Sequence, residues 1–408
     1  MSKLITNTIR HTGASSDSLT FNSDGHATVE NNLTVDGTST LTGNVTASGT
    51  LTASNFSGRN IVINGAMNIA QRGTSAAATG YKTVDRWKFN GDWPGSAITQ
   101  AQSDVAAGTT PYEKGFRKAW KVTNVSQSSA GASNFIHIDT KLEAQDIANS
   151  GWNYTSASSK ITLSFWVKSS VAQTFYGYLY TSDGTEQQYP FSFALSADTW
   201  TKVTKTIPGH ANLTFNNDTG EGLRITIAQF YGTTYTDSGV TLDAWGAYSG
   251  TANLPDNTST WFTTNAATFE LTGVQLEVGD VATEFEHRSY GDELLRCQRY
   301  FETSYNPGVT VGSSSNVGGY YECHSSDNGD NVVFSPTYRV TKRAVPTDKF
   351  WKDDGTANQW TYSRDGSGAG SGVTSFRSSQ THLNGYVDCG ASWVPCALHG
   401  HWSSEAEL

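Results

Sequence analysis

Residues 160–168, Lys-Ile-Thr-Leu-Ser-Phe-Trp-Val-Lys, decide the class of the fold. Ile161, Leu163, Phe165 and Val167 alternate with Thr162, Ser164, Trp166 and Lys168. That two-residue period is what a strand with one face on a core requires. It recurs downstream. Leu223, Ile225 and Ile227 share one parity, and Phe269 and Leu271 give way to Val274, Leu276 and Val278. The switch falls at Gly273, where a β-bulge would return the apolar series to the inward face. Turn clusters such as Ser182-Asp183-Gly184 and Asn216-Asn217-Asp218 separate the runs. Strands and turns of this kind predict a β-sandwich over residues 59–288.

Composition points the same way. Of 408 residues 12% are aromatic and 16% charged, and Thr and Ser fill about a quarter. Thr, Tyr, Val and Trp favour pleated surfaces, so the expectation is a mostly β protein of two or three domains. A net charge of -10 without a long Lys/Arg run argues against nucleic acid or an anionic membrane as partner. The opening residues, Met-Ser-Lys-Leu-Ile-Thr-Asn, lack the apolar stretch of a signal peptide, and no later run approaches the ~20 apolar residues of a membrane span. Synthesis in the cytosol and no membrane insertion are therefore expected. The 4 cysteines are too few for a disulfide scaffold. Cys389 and Cys396 lack CxxC spacing and read as small buried apolar residues or a late disulfide.

Residues 1–58 differ from the rest. Leu-Thr recurs at Leu33, Leu41 and Leu51, with turn signals at Asp36-Gly37, Gly43 and Gly49. Leu19, Phe21, Val29, Leu33, Val35, Leu41, Val45 and Leu51 all fall at odd positions. So few large apolar residues cannot build a core alone, and further copies of the same segment are the cheapest partners. This predicts a repetitive β shaft and a homotrimer.

One convincing helix is legible. Asp292 can cap residues 293–301, placing Leu294, Cys297 and Phe301 on one stripe with Arg296 and Arg299 toward the C-terminal end. Three such helices would bury that stripe, which makes Leu294, Cys297 and Phe301 candidate trimer-interface residues. Beyond Pro307 the chain is β-like and glycine-rich, with residues 364–372 read as a flexible loop. Residues 289–408 thus read as a linking helix and a smaller C-terminal β domain.

Two stretches resemble a known family. Asn60-Ile61-Val62-Ile63-Asn64-Gly65-Ala66-Met67-Asn68-Ile69-Ala70-Gln71-Arg72-Gly73, with Tyr81 and Asp85-Arg86-Trp87, resembles the opening of a domain common in bacteriophage tail-fibre proteins. Gly273-Val274-Gln275-Leu276-Glu277-Val278-Gly279, Phe285-Glu286-His287-Arg288-Ser289-Tyr290-Gly291-Asp292-Glu293-Leu294 and Arg296-Cys297-Gln298-Arg299-Tyr300 resemble its end and exit helix, with Glu284 where the family has proline. The resemblance implies a trimeric virion appendage with a jelly-roll domain similar to carbohydrate-binding modules. Its N-terminal part would join the virion tail or an adaptor protein, and its C-terminal part would meet a host-surface glycan or outer-membrane protein. No binding residue transfers with it. A polysaccharide depolymerase and a purely structural capsid or collar appendage are the alternatives.

Candidate chemistry follows from side-chain type. Tyr176, Tyr178 and Tyr180 share one face of a strand, with Phe175 and Leu179 on the other; the tyrosines suit a shallow glycan platform, or sheet and subunit packing. Trp351, Trp360 and Tyr362 form a possible second platform. With Trp393, Trp402 and glycine-rich loops, they place host recognition beyond about Tyr290. His399 and His401 flank Gly400 and point to one side of a strand, so three chains at an axis would offer enough nitrogens for a transition metal. Two exposed histidines near the C-terminus are the alternative. Glu277 with Asp280, or Glu284 with Glu286, could supply a glycosidase pair by count. With no GxSxG, HExxH or Walker loop, the expectation is an adhesin and not an enzyme.

Overall fold

The computed structural model describes residues 58–408 apart from 96, 126–128, 326–330, 365–366, 376 and 389–394, with backbone alone at 321–325, 364, 367–368 and 395–396, and the backbone of three short strands before residue 58. The chain forms two compact units, residues 1–54 and 55–408. In the first, β1 (Thr8–Ile9), β2 (Leu19–Phe21) and β3 (Ala27–Val29) form an antiparallel sheet that sets Leu19 opposite Val29. The Leu-Thr repeat at Leu33, Leu41 and Leu51 lies outside the described residues.

The second unit begins with β4 (Ser75–Ala76), β5 (Lys88–Asp92), β6 (Thr99–Asp104), the short helix α1 (Thr110–Glu113), β7 (Lys118–Thr123) and β8 (Phe135–Glu143). After α2 (Ala144–Ala148) come β9 (Lys160–Ser169), β10 (Gln173–Thr181), β11 (Gln187–Leu195), β12 (Thr201–Pro208), β13 (Glu221–Tyr231), β14 (Gly246–Ala247) and β15 (Thr268–Val278). One six-stranded sheet runs β12-β9-β15-β7-β6-β4, the other β14-β11-β10-β13-β8-β5. From β7 to β13 the chain changes sheet at every step except the β10–β11 hairpin, and β15 then inserts between β7 and β9. That winding is a jelly roll, established by strand order alone.

The alternation read from residues 160–168 closes the core between these sheets. Ile161, Leu163, Phe165 and Val167 are buried against the facing sheet, with ring centroids 5.4 Å apart for Phe165 and Phe193 and 5.1 Å for Phe175 and Phe269. The parity switch is real. The β15–β9 register shifts between Thr272 and Gln275, and Gly273 adopts φ +63°, where a Cβ would stand 2.6 Å from the Phe116 ring.

The two stretches behind the family resemblance form one seam. Ile61 N donates to Leu276 O at 2.9 Å, while the Asn60 side chain donates to Val274 O at 3.1 Å and accepts from Leu276 N at 3.1 Å. Glu286 accepts from Asn60 N at 2.8 Å, and Arg288 donates to Val62 O at 3.2 Å. Glu277 is spent on fastening a loop, accepting from Thr283 N at 2.9 Å and Thr283 Oγ1 at 2.7 Å. Glu277 and Glu286, offered above as members of carboxylate pairs, thus serve loop and seam.

The helix corrects the sequence reading. α3 spans Tyr290–Gln298, and its N-cap is Ser289, whose Oγ accepts from Asp292 N at 3.1 Å and donates to the Asp292 carboxylate at 2.7 Å. Phe301 starts a strand, β16 (Phe301–Thr303). Cys297 is fully buried with Ile63, Ile69 and Tyr300, Leu294 is half-buried beside them, and Phe301 lies 3.7 Å beneath the Arg72 guanidinium. Cys297 and Phe301 therefore have no surface left for a second copy, because the apolar stripe packs on the chain's own opening segment.

A third sheet follows: β17 (Tyr320–Ser325), β18 (Asn331–Phe334), β19 (Thr347–Trp351), β20 (Gln359–Arg364), β21 (Ser367–Ser375), β22 (Gly385–Asp388) and β23 (Pro395–Glu405) join β16. β23 pairs with β16, β17, β19 and β20. Most of the stretch read as a flexible loop is strand β21, paired with β20 from Gln359 opposite Gly372 to Arg364 opposite Ser367. Bare glycine backbone leaves room there: a Cβ on Gly370 would meet the Gln359 side chain at 2.7 Å. Among the described residues no helix is long and apolar enough to cross a membrane.

Where this sheet meets the sandwich, charges are buried. Arg86, with φ +71°, pairs with Glu407, donates to Lys141 O and lies 3.4 Å over the Tyr300 ring. Arg72 bridges Asp85 at 3.4 Å and Glu407 at 3.1 Å. Burial raises the Asp85 carboxyl to about 6, against the pull of Arg72 and of Gln71. The folded state then keeps this proton up to about pH 6, while the unfolded chain releases it near 4. The Asp85 contribution to stability is therefore complete below pH ~4 and declines as pH rises to ~6. Asp85→Asn is expected to remove ~1–3 kcal/mol of that decline, read as the change in unfolding free energy between the two pH values against wild type. Identical profiles would refute it.

Candidate functional site

The candidate site is the outer face of the sheet that contains β10. Cross-strand registers lay its side chains in rows: Lys141, Arg224, Tyr180 and Gln188; then Lys88, Asp139, Thr226, Tyr178 and Pro190; then Asn90, His137, Ala228, Tyr176 and Ser192. Phe175 and Leu179 point the other way into the core, as alternation requires.

Two of the three expected tyrosines are not open. Tyr178 and Tyr180 are buried, while Tyr176 is half-buried. The reason is the segment between β13 and β15, which folds back on the sheet. Tyr248 N donates to Glu186 O at 3.0 Å, and Gln188 Nε2 donates to Ala252 O at 2.8 Å. The covered hydroxyls form a chain: Tyr178 pairs with Tyr231 at 3.2 Å, Tyr231 with His137 Nδ1 at 2.9 Å, and His137 Nε2 with Asp139 at 3.3 Å. Burial pushes the Tyr178 hydroxyl up to about 12. Burial also opposes the Asp139 charge, but the hydrogen bond and charge of His137 outweigh it and hold that carboxyl below its usual range. Tyr180 donates to Glu186 beneath the Arg224 guanidinium, which is 4.8 Å from its ring and paired with Glu221 at 2.6 Å.

What remains open lies at the Tyr176 end. Tyr176 lines a hollow of about 570 Å³ with Gln173, Thr174, Asp256, Asn257 and Thr258. Gln173 Oε1 accepts from Thr260 N and Trp261 N, both at 3.0 Å, which fixes this rim. Phe135 and Tyr235, half-buried with centroids 5.4 Å apart, extend the aromatic surface on the same sheet face. An aromatic wall with amide, hydroxyl and carboxylate groups around it can stack a sugar ring and bond its hydroxyls. The sequence reading missed Phe135, His137, Asp139, Tyr231 and Tyr235. Alternation with Ile136 and Ile138 marks the first three as outward; Tyr231 follows a bulge between Ala228 and Phe230.

The other candidates scatter. Trp360 is fully buried, its Nε1 donating to His401 O at 2.9 Å, and Trp402 shares the same core, so neither belongs to an open platform. Tyr362 packs against that core from its edge, while Trp351 is half-buried beside Tyr305. Trp393, Cys389 and the Cys396 side chain lie outside the described residues. His401 is buried and stacked 3.8 Å from Tyr305, with Nδ1 on Ser304 Oγ at 3.1 Å and Nε2 on Ser315 O at 2.9 Å. Both its nitrogens are engaged, so the expected metal pair fails at His401, and His399 instead pairs with Asp353 at 2.6 Å. Among the described residues no group of three His, Cys, Asp or Glu side chains could hold a metal ion.

No family model matches the chain, and no curated protein matches it. Among solved structures it is similar to a family 11 carbohydrate-binding module from Clostridium thermocellum in complex with a β-1,3-1,4-mixed-linked tetrasaccharide, at 10% identity over 53% of this chain and 99% of that one, TM-score 0.24. It is also similar to the N-terminal cellulose-binding domain of Cellulomonas fimi β-1,4-glucanase C, at 12% identity over 52% of this chain and 99% of that one, TM-score 0.26. A cyclase from Fischerella sp. TAU is similar at 10% identity over 50% of this chain and 89% of that one, TM-score 0.29.

Proposed function

We propose that the protein is a glycan-binding adhesin, a homotrimeric bacteriophage tail fibre that attaches the virion to a host-surface glycan. The observation that carries the binding part is the half-open Tyr176 beside its polar hollow, on a sheet face whose Tyr178 and Tyr180 the chain itself covers. With Trp360 and Trp402 in the core, the sandwich face supports recognition better than the third sheet does. The appendage part rests on the sequence resemblance, whose two stretches meet in one seam. Trimerisation would raise avidity without tight single sites.

Light scattering on the full-length protein should give about three times 44.0 kDa. Tyr176→Ala, tested against a panel of bacterial surface polysaccharides, is expected to weaken binding ~10-fold by loss of one stacking ring, with unfolding unchanged. Wild-type binding by that variant would sink the tyrosine site. Release of new reducing ends would identify a depolymerase instead, and binding to no polysaccharide or cell would leave a structural appendage.

A further inference from the structure

A second cavity, of about 240 Å³, lies where the sandwich meets the third sheet. Tyr81 and Arg72 come from the sandwich side, Lys349 and Trp351 from β19, and Glu405 from β23; Lys82 stands at the rim. The volume is below the ~300 Å³ at which pockets for drug-sized ligands begin, which suits one monosaccharide ring.

The charges in it are unevenly satisfied. Arg72 is occupied, bridging Asp85 at 3.4 Å and Glu407 at 3.1 Å, with Glu405 at 3.6 Å. Glu405 is therefore partly neutralised. Lys82 and Lys349 are both exposed, and among the described residues neither makes an ion pair. On a chain of net charge -10, two unpaired ammonium groups beside a tryptophan and a tyrosine form a local cationic, aromatic spot. Thr310 and Ser403 add hydroxyls to the lining. Aromatic faces take the C–H side of a sugar ring, hydroxyls bond its hydroxyls, and lysines take an anion as point charges.

We propose that this cavity binds a single carboxylate-bearing sugar, of the uronic-acid class, with its carboxylate on Lys82 and Lys349 and its ring against Trp351 and Tyr81. The site is separate from the Tyr176 hollow and stands or falls without it. Acidic sugars in a surface polysaccharide would then engage the protein at the junction, while the sheet face holds neutral ring surface.

The test is calorimetric titration of the full-length protein with sodium glucuronate, methyl glucoside and sodium acetate. Glucuronate is expected to bind weakly, at ~1 mM, and ~10-fold or more tighter than the glucoside or acetate, because only it satisfies both halves of the site. Lys82→Gln with Lys349→Gln should weaken glucuronate ~10-fold, and added salt should weaken it in wild type alone. Both lysines are exposed, so the double variant should fold normally. Tyr176→Ala should leave glucuronate binding unchanged. The proposal is overturned if the double lysine variant binds glucuronate as wild type does, if acetate binds equally well, or if glucuronate shows no binding at all.

Discussion

Glu407→Ala is expected to destabilise the protein by ~3–5 kcal/mol, lowering the melting temperature on the order of 10 °C. Arg86 is 1% exposed and Glu407 4%, so the alanine variant leaves a guanidinium buried without its counter-ion. Arg86 has little else to turn to. Its Nε is already without a partner, and its remaining contacts are the Lys141 carbonyl and the Tyr300 ring. The same substitution takes one of the carboxylates from Arg72. Replacing both members with apolar residues of similar volume, Arg86→Met with Glu407→Leu, should recover much of the loss, because the desolvation cost disappears with the charges. Thermal unfolding of the three proteins decides the matter, and a Glu407→Ala protein that melts within about 2 °C of wild type would show that the pair is solvated.

Gly65→Ala is the second large effect, for a steric reason. A Cβ on Gly65 would stand 2.0 Å from the carbonyl oxygen of Val274, which is backbone and cannot rotate away. The seam must therefore open, taking with it the hydrogen bond from Val274 N to Gly65 O at 2.9 Å. Overpacking of this kind costs ~1–3 kcal/mol where side chains yield and more where backbone must move, so ~3 kcal/mol or more is expected here. Gly291→Ala is the matched control. That glycine lies in α3 with nothing near its Cβ position, and alanine there should stabilise by ~0.5–1 kcal/mol. Equal denaturation midpoints for Gly65→Ala and wild type would contradict the seam.

The sandwich was legible in the sequence because one-sided burial writes a two-residue period, and even the bulge at Gly273 left its mark as a change of parity. The helix start was misplaced because Asp292 is itself a favoured capping residue type, whereas the cap is Ser289, three residues earlier, whose Oγ accepts from Asp292 N. Its end was hidden because Phe301 happens to continue the helical spacing while already belonging to β16. For the tyrosines, alternation tells which face they occupy but not what lies over it; the cover comes from the segment after β13. Strand β21 carries too few side chains to show any period. Least legible of all was the Arg86–Glu407 pair, whose members stand 321 positions apart with no local pattern joining them.

The role of β23 has a kinetic consequence. Among the described residues β16, β17 and β19 gain a neighbour only when this one strand arrives and β20 gains its second beside β21, and the pairing of Phe301 with Glu405 closes a loop of about 100 residues. Contacts of such sequence separation form slowly, because the entropy of closure is spent before the pairing rewards it. Until then four strand edges stand open to other chains. The third sheet should therefore refold after the sandwich hairpins, and dilute protein should reach it with fewer losses to association than concentrated protein.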